Sequence, residues 1–266
     1  EMRGDWGFAD EQDVSHGLAT ADFDRDGDLD LAVNRLNDRA VIYENQATAP
    51  RIAVRLEGRP PNTGAVGATV VLEGGKGGPA PQREAIGAGG DYLSGSSSTL
   101  MFAASDTSVH RLTVRWPDGT KSVIDSARAN RIYEIQQPEP TQAGDESERG
   151  SVGRASPTDT SHAADDPIFE DVSGRLSHRH HESSYDDFRI QPLLPVKLSQ
   201  QGPGLSWIDY DWDGDADLIV GAGRGGQPAV YENDGTGRFA DRRLGPLTDT
   251  TVADQTKILR WPTNQG

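Results

Sequence analysis

Residues 22–33 read Asp-Phe-Asp-Arg-Asp-Gly-Asp-Leu-Asp-Leu-Ala-Val, and residues 209–220 repeat the pattern as Asp-Tyr-Asp-Trp-Asp-Gly-Asp-Ala-Asp-Leu-Ile-Val. Each stretch follows a Gly-Leu pair and precedes a Tyr-Glu-Asn triplet, at residues 43–45 in the first copy and 231–233 in the second. Two copies that agree over about thirty residues form an internal repeat, which takes priority in assigning a fold.

The repeated stretch has the oxygen pattern of a calcium-binding loop. Carboxylates stand at positions 1, 3, 5, 7 and 9, and glycine stands at position 6, where the chain must turn sharply. Calcium takes six to eight oxygen ligands, and alternate side chains of a tightly curled loop converge on one point. We therefore predict two calcium sites, each with the backbone carbonyl of position 7 as a further ligand. The residues of these sites are Asp22, Asp24, Asp26, Asp28 and Asp30 in the first loop, and Asp209, Asp211, Asp213, Asp215 and Asp217 in the second.

The residues that flank each loop exclude an EF-hand. That site needs a bidentate glutamate at position 12 and a helix on either side, whereas position 12 is Val33 in one loop and Val220 in the other. The flanking runs at residues 31–33 and 218–220 are short and apolar, as is typical of β-strands. We expect each loop to join two strands. A single match of this kind is often a solvated turn, but two full copies favour a metal site.

The composition limits both the fold class and the partners. Of the 266 residues, 31 are glycine and 16 are proline, so turns are frequent and long helices are not expected. The net charge of −16 argues against nucleic acid, because a phosphate backbone binds to a positive surface. No apolar run is long enough to span a bilayer. The absence of cysteine excludes disulfide bonds and thiolate chemistry.

Two segments of different character separate the repeats. Residues 51–137 alternate apolar and polar side chains in short runs, which predicts an antiparallel β domain. Its clearest hairpin turns at residues 116–120, where Pro117 presets φ and Gly119 supplies a positive φ. Residues 138–166 contain no aromatic side chain and are rich in small, polar and charged residues, which is typical of a disordered linker.

Parts of this sequence resemble two known families. The aspartate repeats are similar to FG-GAP, or VCBS-type, units of the integrin-alpha-like β-propeller. The segment between them resembles the ASPIC/UnbV domain, a module of cartilage acidic protein and of many bacterial proteins. Residues 102–105 depart from that family's pattern, since they read Phe-Ala-Ala-Ser where Phe-Gly-Leu-Gly is expected. The stretches that carry the second resemblance are Asn62-Thr63-Gly64-Ala65-Val66-Gly67-Ala68, Gly89-Gly90-Asp91-Tyr92-Leu93-Ser94, Val114-Arg115-Trp116-Pro117-Asp118-Gly119 and Ala129-Asn130.

The resemblance implies a mostly β chain with partial propellers. We expect a terminal propeller blade at residues 1–46, a β-sandwich-like ASPIC/UnbV domain at residues 51–137, the linker at residues 138–166, and the start of a second propeller at residues 167–266. Because a propeller needs about four or more blades to close its ring, we expect the chain to be a fragment of a longer protein or to close its blades across subunits.

The resemblance also implies a calcium-bearing scaffold used for interaction outside the cell. Extracellular calcium modules bind their ion at ~10⁻⁴ to 10⁻³ M, so such sites fill where calcium is millimolar. We expect a secreted or cell-surface protein without enzymatic activity, which holds two calcium ions and binds an extracellular protein or a glycan. A passive structural spacer that binds no ligand is one alternative.

A metal-dependent enzyme is the other alternative, with its site near residues 178–187. His178 and His181 have a spacing that suits a transition metal, with Glu182 or Asp187 as a further ligand. Imidazole clusters become sites only in a suitable context, so a polar loop is the simpler interpretation.

Two short motifs are assigned no function. Residues 221–226 fit the Gly-x-Gly-x-x-Gly fingerprint of a dinucleotide site, but strand-like residues follow where that site needs a helix. We assign these residues to a turn. The Arg-Gly-Asp tripeptide at residues 3–5 is too short to indicate integrin recognition.

Overall fold

The computed structural model describes residues 6–8, 14–74, 80–88, 90, 92–106, 108–139, 167–200 and 202–259. The tripeptide at residues 3–5 and most of the predicted linker, residues 140–166, lie outside the described residues. Within them the chain is mostly β, as predicted, and its single α-helix is the one-turn α1 (Asp187–Ile190). The strands are β1 (Ser15–Ala21), β2 (Asp30–Arg35), β3 (Val41–Asn45), β4 (Arg51–Glu57), β5 (Thr69–Glu73), β6 (Gln82–Ala85), β7 (Ser94–Gly95), β8 (Leu100–Ala103), β9 (His110–Arg115), β10 (Lys121–Ala127), β11 (Arg131–Gln136), β12 (Phe169–Asp171), β13 (Leu205–Ile208), β14 (Asp217–Val220), β15 (Ala229–Asn233) and β16 (Phe239–Arg242).

The first aspartate repeat lies in a four-stranded antiparallel sheet of order β1-β2-β3-β12. Its first three strands are consecutive in sequence, and Leu31 of β2 pairs with Tyr43 of β3. The fourth strand comes from the far side of the predicted linker, because Phe169 of β12 pairs with Asn45 of β3. A 3₁₀ turn at Ser173–Arg175 follows β12 directly.

The second aspartate repeat forms a similar meander of four consecutive antiparallel strands, β13 to β16. A fifth strand, β7, comes from the central domain and pairs in parallel with β13, with Leu205 opposite Ser94. The central domain therefore extends the edge of the second repeat's sheet.

The two repeat sheets share one hydrophobic core. The ring of Phe23 in the first loop stacks on Trp207 of β13 with their centroids 5.8 Å apart, and Phe239 of β16 lies edge-on to Phe23 at 5.6 Å. Burial of apolar area of this kind is the main stabilising contribution to a fold. The core comprises Ala19, Ala21, Phe23, Ala32, Ala40, Ile42, Val172, Leu176, Leu205, Trp207, Leu218, Val220 and Tyr231.

The central domain packs two sheets around a second core, of orders β10-β9-β5-β6 and β11-β4-β8. Strand β9 alternates buried and exposed side chains, as expected for a sheet with one face on a core. The predicted hairpin between β9 and β10 is confirmed, since Trp116 N donates to Thr120 O at 3.0 Å and Gly119 has φ of 88°. The purely antiparallel arrangement is wrong, because β4 and β11 pair in parallel. These strands stand at opposite ends of the domain sequence, so no tight turn fixes their direction.

The four sheets of the described residues close into neither a barrel nor a propeller ring. The prediction of a mostly β fold is confirmed, whereas the assignment of the repeats to propeller blades stays a prediction. Among the described residues, no helix has the length and apolar character needed to cross a membrane.

Candidate metal centres

Each aspartate loop joins two neighbouring antiparallel strands, as the sequence predicts. The first loop connects β1 to β2, and the second connects β13 to β14. The two loops also follow the same backbone path, because positions 4 and 6 have positive φ in both: 62° at Arg25 and 91° at Gly27, then 68° at Trp212 and 94° at Gly214. Glycine at position 6 suits this left-handed conformation, which other residues adopt at a cost.

Three of the five predicted carboxylates in each loop converge. One carboxylate oxygen each from Asp22, Asp24 and Asp30 lies within 4.8 Å of the other two. The equivalent positions 1, 3 and 9 of the second loop, Asp209, Asp211 and Asp217, form the same group within the same distance. These are the only groups of three or more potential metal ligands among the residues that the structure describes.

The side chains at positions 5 and 7 have other partners. Asp26 Oδ1 accepts a hydrogen bond from Asp28 N at 2.9 Å, and Asp213 Oδ1 accepts one from Asp215 N at 2.8 Å. Aspartate side chains often stabilise turns through such local bonds. The carboxylates of position 7 face arginines: Asp28 Oδ2 lies 3.2 Å from Arg51 Nη2, while Asp215 has a partner in the opposite loop.

The aspartate at position 9 fixes the loop to the third strand of its own sheet. Asp30 Oδ2 accepts a hydrogen bond from Phe23 N at 2.9 Å, and Asp30 Oδ1 accepts one from Asn45 N at 2.8 Å. The second repeat has the equivalent bonds from Tyr210 N, at 3.0 Å, and from Asn233 N, at 2.9 Å, to Asp217.

The asparagine of each Tyr-Glu-Asn triplet explains why the triplet recurs. Asn45 Nδ2 donates to Leu29 O at 3.1 Å, and Asn233 Nδ2 donates to Ala216 O at 3.2 Å, so each asparagine closes its own loop. Asn233 Nδ2 also lies 2.7 Å from Phe23 O of the first loop. The second loop is thereby joined to the first.

Burial raises the pKa values of several loop carboxyl groups. Desolvation raises the pKa of Asp22 from 3.8 to about 6, against the opposing charge of Arg55. Desolvation, with a contribution from the charge of Asp26, raises the pKa of Asp24 to about 6. It raises the pKa of Asp30 well above 3.8 and that of Asp217 to about 6. Because burial disfavours the negative charge, each loop favours the uptake of a proton or a cation.

Two arginines of β4 connect the central domain to the first loop. Arg51 is buried, and its Nε donates to Gly27 O at 2.8 Å while Nη2 lies 3.4 Å from Asp26 Oδ2. Arg55 Nη2 lies 3.6 Å from Asp22 Oδ2. Neither contact could be predicted from the aspartate repeat, since both arginines lie outside it.

The histidine segment is not assembled as a metal centre. His178, His181, Glu182 and Asp187 form no group of three potential ligands within the described part of the chain. The neighbouring His180 is buried, with Asn37 N 2.8 Å from its Nδ1 and Gly223 N 3.1 Å from its Nε2. Backbone amides thus face both of its ring nitrogens.

Asp187 has a local structural role. Its Oδ2 accepts hydrogen bonds from Leu198 N at 3.1 Å and from Ser199 N at 3.0 Å, as well as from Ser199 Oγ at 2.6 Å. These bonds hold the segment that follows α1.

The glycines at residues 221–226 form a turn between β14 and β15, as predicted. A Cβ atom on Gly223 would lie 2.5 Å from Cβ of Glu182, so this position must be glycine for the two segments to pack. Ser183 N donates to Arg224 O at 2.8 Å across the same contact. The requirement for glycine here comes from close packing.

Comparison with known proteins gives one family match. Residues 58–142 match the family described as ASPIC and UnbV. No curated protein and no solved structure gave a significant match. The match begins at residue 58, after the end of β4. Because β4 is the central strand of the sheet β11-β4-β8, the folded central domain begins before the matched residues. The chain therefore contains an ASPIC/UnbV domain.

Proposed function

We propose that this chain is a calcium-stabilised interaction scaffold of an extracellular or cell-surface protein, built on blades of FG-GAP or VCBS type, that binds protein or glycan. The observation that carries the proposal is the convergence of three carboxylates at the same positions, 1, 3 and 9, in both loops. Three carboxylates held within 4.8 Å of one another repel when no cation lies between them. One calcium ion in each loop would offset that repulsion.

The ligand chemistry of the loops fits calcium. The converging atoms are all carboxylate oxygens, which hard cations prefer. Asp22 is only 4% exposed, and its Oδ2 accepts no hydrogen bond from the described residues, with Arg55 Nη2 at the longer distance of 3.6 Å. Buried carboxylates normally have partners. When bound, calcium supplies positive charge that offsets the cost of burying these groups.

Calcium in these loops would stabilise the assembly of sheets as well as the loops themselves. Asp30 and Asp217 each connect a loop to the third strand of its sheet, and Phe23 and Trp207 meet in the core between the sheets. Two sheets that share one core support blades of FG-GAP or VCBS type, here as neighbours packed on one another, whereas we expected from the sequence that they belong to two separate propellers. Rigid blades with ordered loops suit a binding scaffold.

The location follows from the affinity expected of such sites. Extracellular calcium modules have dissociation constants of ~10⁻⁴ to 10⁻³ M. Loops of this kind fill in extracellular fluid, where calcium is millimolar, and remain mostly without calcium in a cytosol. An interaction scaffold that depends on them would therefore function outside the cell.

Thermal unfolding in calcium, in magnesium and in EDTA tests this proposal. Calcium at tenfold its dissociation constant adds ~1.4 kcal/mol per site, which raises the unfolding midpoint by a few degrees. Asp24→Asn and Asp211→Asn should each lose about half of that gain. Asp249→Asn, an exposed aspartate outside the loops, is the matched control and should keep all of it.

Two results would contradict the proposal. In one, calcium leaves the midpoint of a cooperatively unfolding protein unchanged. In the other, Asp249→Asn lowers the calcium effect as much as the loop variants do, which would indicate a general charge effect.

A further inference from the structure

One loop after the histidine segment concentrates the exposed apolar side chains of the protein. Sixteen large apolar side chains are exposed among the described residues, and six of them lie within residues 185–198. Every residue from 188 to 198, which we call the apolar loop, is exposed except the partly buried Leu194. Clusters of exposed apolar side chains mark sites of interaction with proteins or membranes. The large side chains of the apolar loop are 40% to 96% exposed, and they are Phe188, Ile190, Leu193, Val196 and Leu198.

Hydrogen bonds close the apolar loop at its base and hold it away from the core. The buried carboxylate of Asp187 accepts hydrogen bonds from the backbone amides of Leu198 and Ser199, at the far end of the loop. Within the loop, Leu194 N donates to Gln191 O at 3.2 Å. Residues 192 and 195 are prolines, which restrict φ on both sides of Leu193. A partner would therefore meet an ordered surface and lose little entropy in binding to it.

The charge of the apolar loop is opposite to that of the rest of the chain. The protein contains 42 acidic residues and has a net charge of −16, yet residues 188–208 contain no aspartate or glutamate. The loop carries two cations, Arg189 and Lys197. Of the two acids before it, Asp187 is buried, and Asp186 caps α1 by accepting a hydrogen bond from Phe188 N at 3.1 Å. The complementary occupant is thus both apolar and negatively charged.

A second copy of this chain does not fit that description. Contact between two apolar loops would bring together the cations of both copies, and like charges repel. The other exposed large apolar side chains, such as Val109 and Trp212, are scattered along the described chain and form no second cluster in the sequence. An anionic bilayer offers negative headgroups above an apolar interior. Its surface also adapts to a protruding loop, whereas a protein partner needs a matching groove.

We propose that the apolar loop docks the protein on an anionic lipid surface. Leu193 and its apolar neighbours enter the boundary between headgroups and acyl chains, while Arg189 and Lys197 lie at the level of the lipid phosphates. This kind of binding is peripheral and reversible, and it combines buried apolar area with attraction to anionic lipid. The inference goes beyond the proposed function, because none of the residues that carry it belongs to an aspartate loop.

Co-sedimentation of the whole chain with lipid vesicles tests the proposal. The vesicles contain phosphatidylcholine alone or an equimolar mixture of phosphatidylcholine and phosphatidylglycerol, and each binding curve is measured in EDTA and in millimolar calcium. Val196→Asp places a negative charge in the apolar loop. Val109→Asp is the matched control, because Val109 lies in the central domain and the two valines have similar exposure, 59% for Val196 and 49% for Val109.

A second pair of variants tests the cations. Arg189→Gln with Lys197→Gln removes both positive charges of the apolar loop. Arg111→Gln with Lys121→Gln is the matched control, since these two cations are exposed on β9 and β10 of the central domain. Circular dichroism and urea unfolding show that each variant is folded.

The proposal expects the wild type to bind the mixed vesicles in EDTA more tightly than vesicles of phosphatidylcholine alone. Val196→Asp should weaken this binding about tenfold or more, because it loses apolar contact and adds repulsion from the headgroups. Loss of the loop cations should weaken binding about fivefold for each charge. Both central-domain controls should bind like the wild type.

Five outcomes would overturn the proposal. The first two are a folded wild type that fails to bind the mixed vesicles and a Val196→Asp variant that binds as tightly as Val109→Asp. Equal binding to both kinds of vesicle would remove the role of the cations. Binding that occurs only in calcium would assign the contact to the aspartate loops. A wild-type dimer in light scattering that Val196→Asp dissociates would show that a second copy covers the apolar loop.

Discussion

Arg25, at position 4 of the first aspartate loop, forms an ion pair with Asp215, at position 7 of the second, through its Nε and Asp215 Oδ1. Asp215 is 8% exposed, whereas the Arg25 side chain is close to half-exposed. Burial raises the pKa of Asp215, and the charge of Arg25 opposes that rise. The two candidate metal loops are therefore in electrostatic contact.

We predict that Arg25→Met destabilises the protein by about 1–3 kcal/mol in EDTA, because it leaves the buried Asp215 carboxylate without its partner. A double-mutant cycle with Asp215→Asn, followed by urea unfolding, measures the coupling between the two side chains. The control cycle uses Arg111 and Asp125, whose ion pair is 3.0 Å long and more than half-exposed, at 55% and 65%. That pair should couple by less than ~1 kcal/mol. Equal coupling in the two cycles would show that the contact between the loops contributes no more than a surface ion pair.

Arg51 should be among the most sensitive positions in the chain. The residue is 7% exposed and bonds to Gly27 O. Its guanidinium also pairs with the carboxylates of Asp26 and Asp28. Arg51→Met leaves the buried Asp28 carboxylate and the partly buried Asp26 carboxylate without this cation, so we expect a loss of about 3–5 kcal/mol in free energy of unfolding.

The control for this substitution is Arg131→Met, at an exposed position of β11. Surface substitutions of this kind usually change stability by less than about 0.5 kcal/mol. Chemical denaturation of the two variants side by side checks the prediction. A similar small change in both would mean that Arg51 does not hold the first loop to the central domain.

Gly223→Ala tests the close packing of the glycine turn. The new Cβ would lie 2.5 Å from Cβ and Cγ of Glu182, so one segment must move, and we expect a loss of about 1–3 kcal/mol. Gly174→Ala is the matched control, because nothing lies within 4 Å of its ideal Cβ position. The thermal unfolding midpoint of Gly223→Ala should be clearly lower than that of Gly174→Ala. If Gly223→Ala is as stable as Gly174→Ala, the packing against residues 182–183 is looser than described.

The calcium effect should depend on pH. Burial raises the pKa of Asp22, Asp24 and Asp217 to about 6 from 3.8. In EDTA, the folded state thus binds protons more tightly than the unfolded state, and these groups contribute stability at low pH that is lost as pH rises through about 6. Calcium needs the ionised carboxylates and competes with those protons. The rise in midpoint caused by calcium should therefore shrink as pH falls from about 8 to about 5.

Other buried groups titrate in the same range and must be separated from the loops. Burial lowers the pKa of His180 to about 4 from 6.5, so its contribution to stability falls as pH drops below about 6.5. Burial also raises the pKa of Glu182 to about 7, and its contribution falls as pH rises. Subtracting the unfolding midpoint in EDTA from the midpoint in calcium at each pH removes the contributions of His180 and Glu182. A difference that stays constant across the range would contradict proton competition at the loops.

The repeat in the sequence predicts the loops well because their geometry is local. Alternating aspartates and a glycine at position 6 specify a tight turn between two strands, and both copies adopt it. The Pro-Asp-Gly turn after Trp116 is equally local and is confirmed. The Tyr-Glu-Asn triplet was a visible signal too, although its amide contacts with Leu29 and Ala216 required the structure.

Pairing between distant segments could not be predicted from the sequence. Strand β12 joins β3 from beyond the predicted linker, and β4 pairs with β11 across the whole central domain. No turn motif specifies such pairs, because their register depends on which surfaces remain to be covered once local structure has formed. The contacts of Arg51 and Arg55 with the first loop could not be predicted for the same reason. In the sequence they are ordinary residues of an alternating strand, and their role depends on where β4 lies.

Counting bound calcium tests the central claim most directly. Equilibrium dialysis against millimolar calcium, with magnesium present as a competitor, should give two ions per chain, one for each carboxylate group. Asp24→Asn and Asp211→Asn should each bind one ion, and the double variant none. Retention of two ions by both single variants, or no bound calcium in the folded wild type, would contradict the assignment of the aspartate loops as calcium sites.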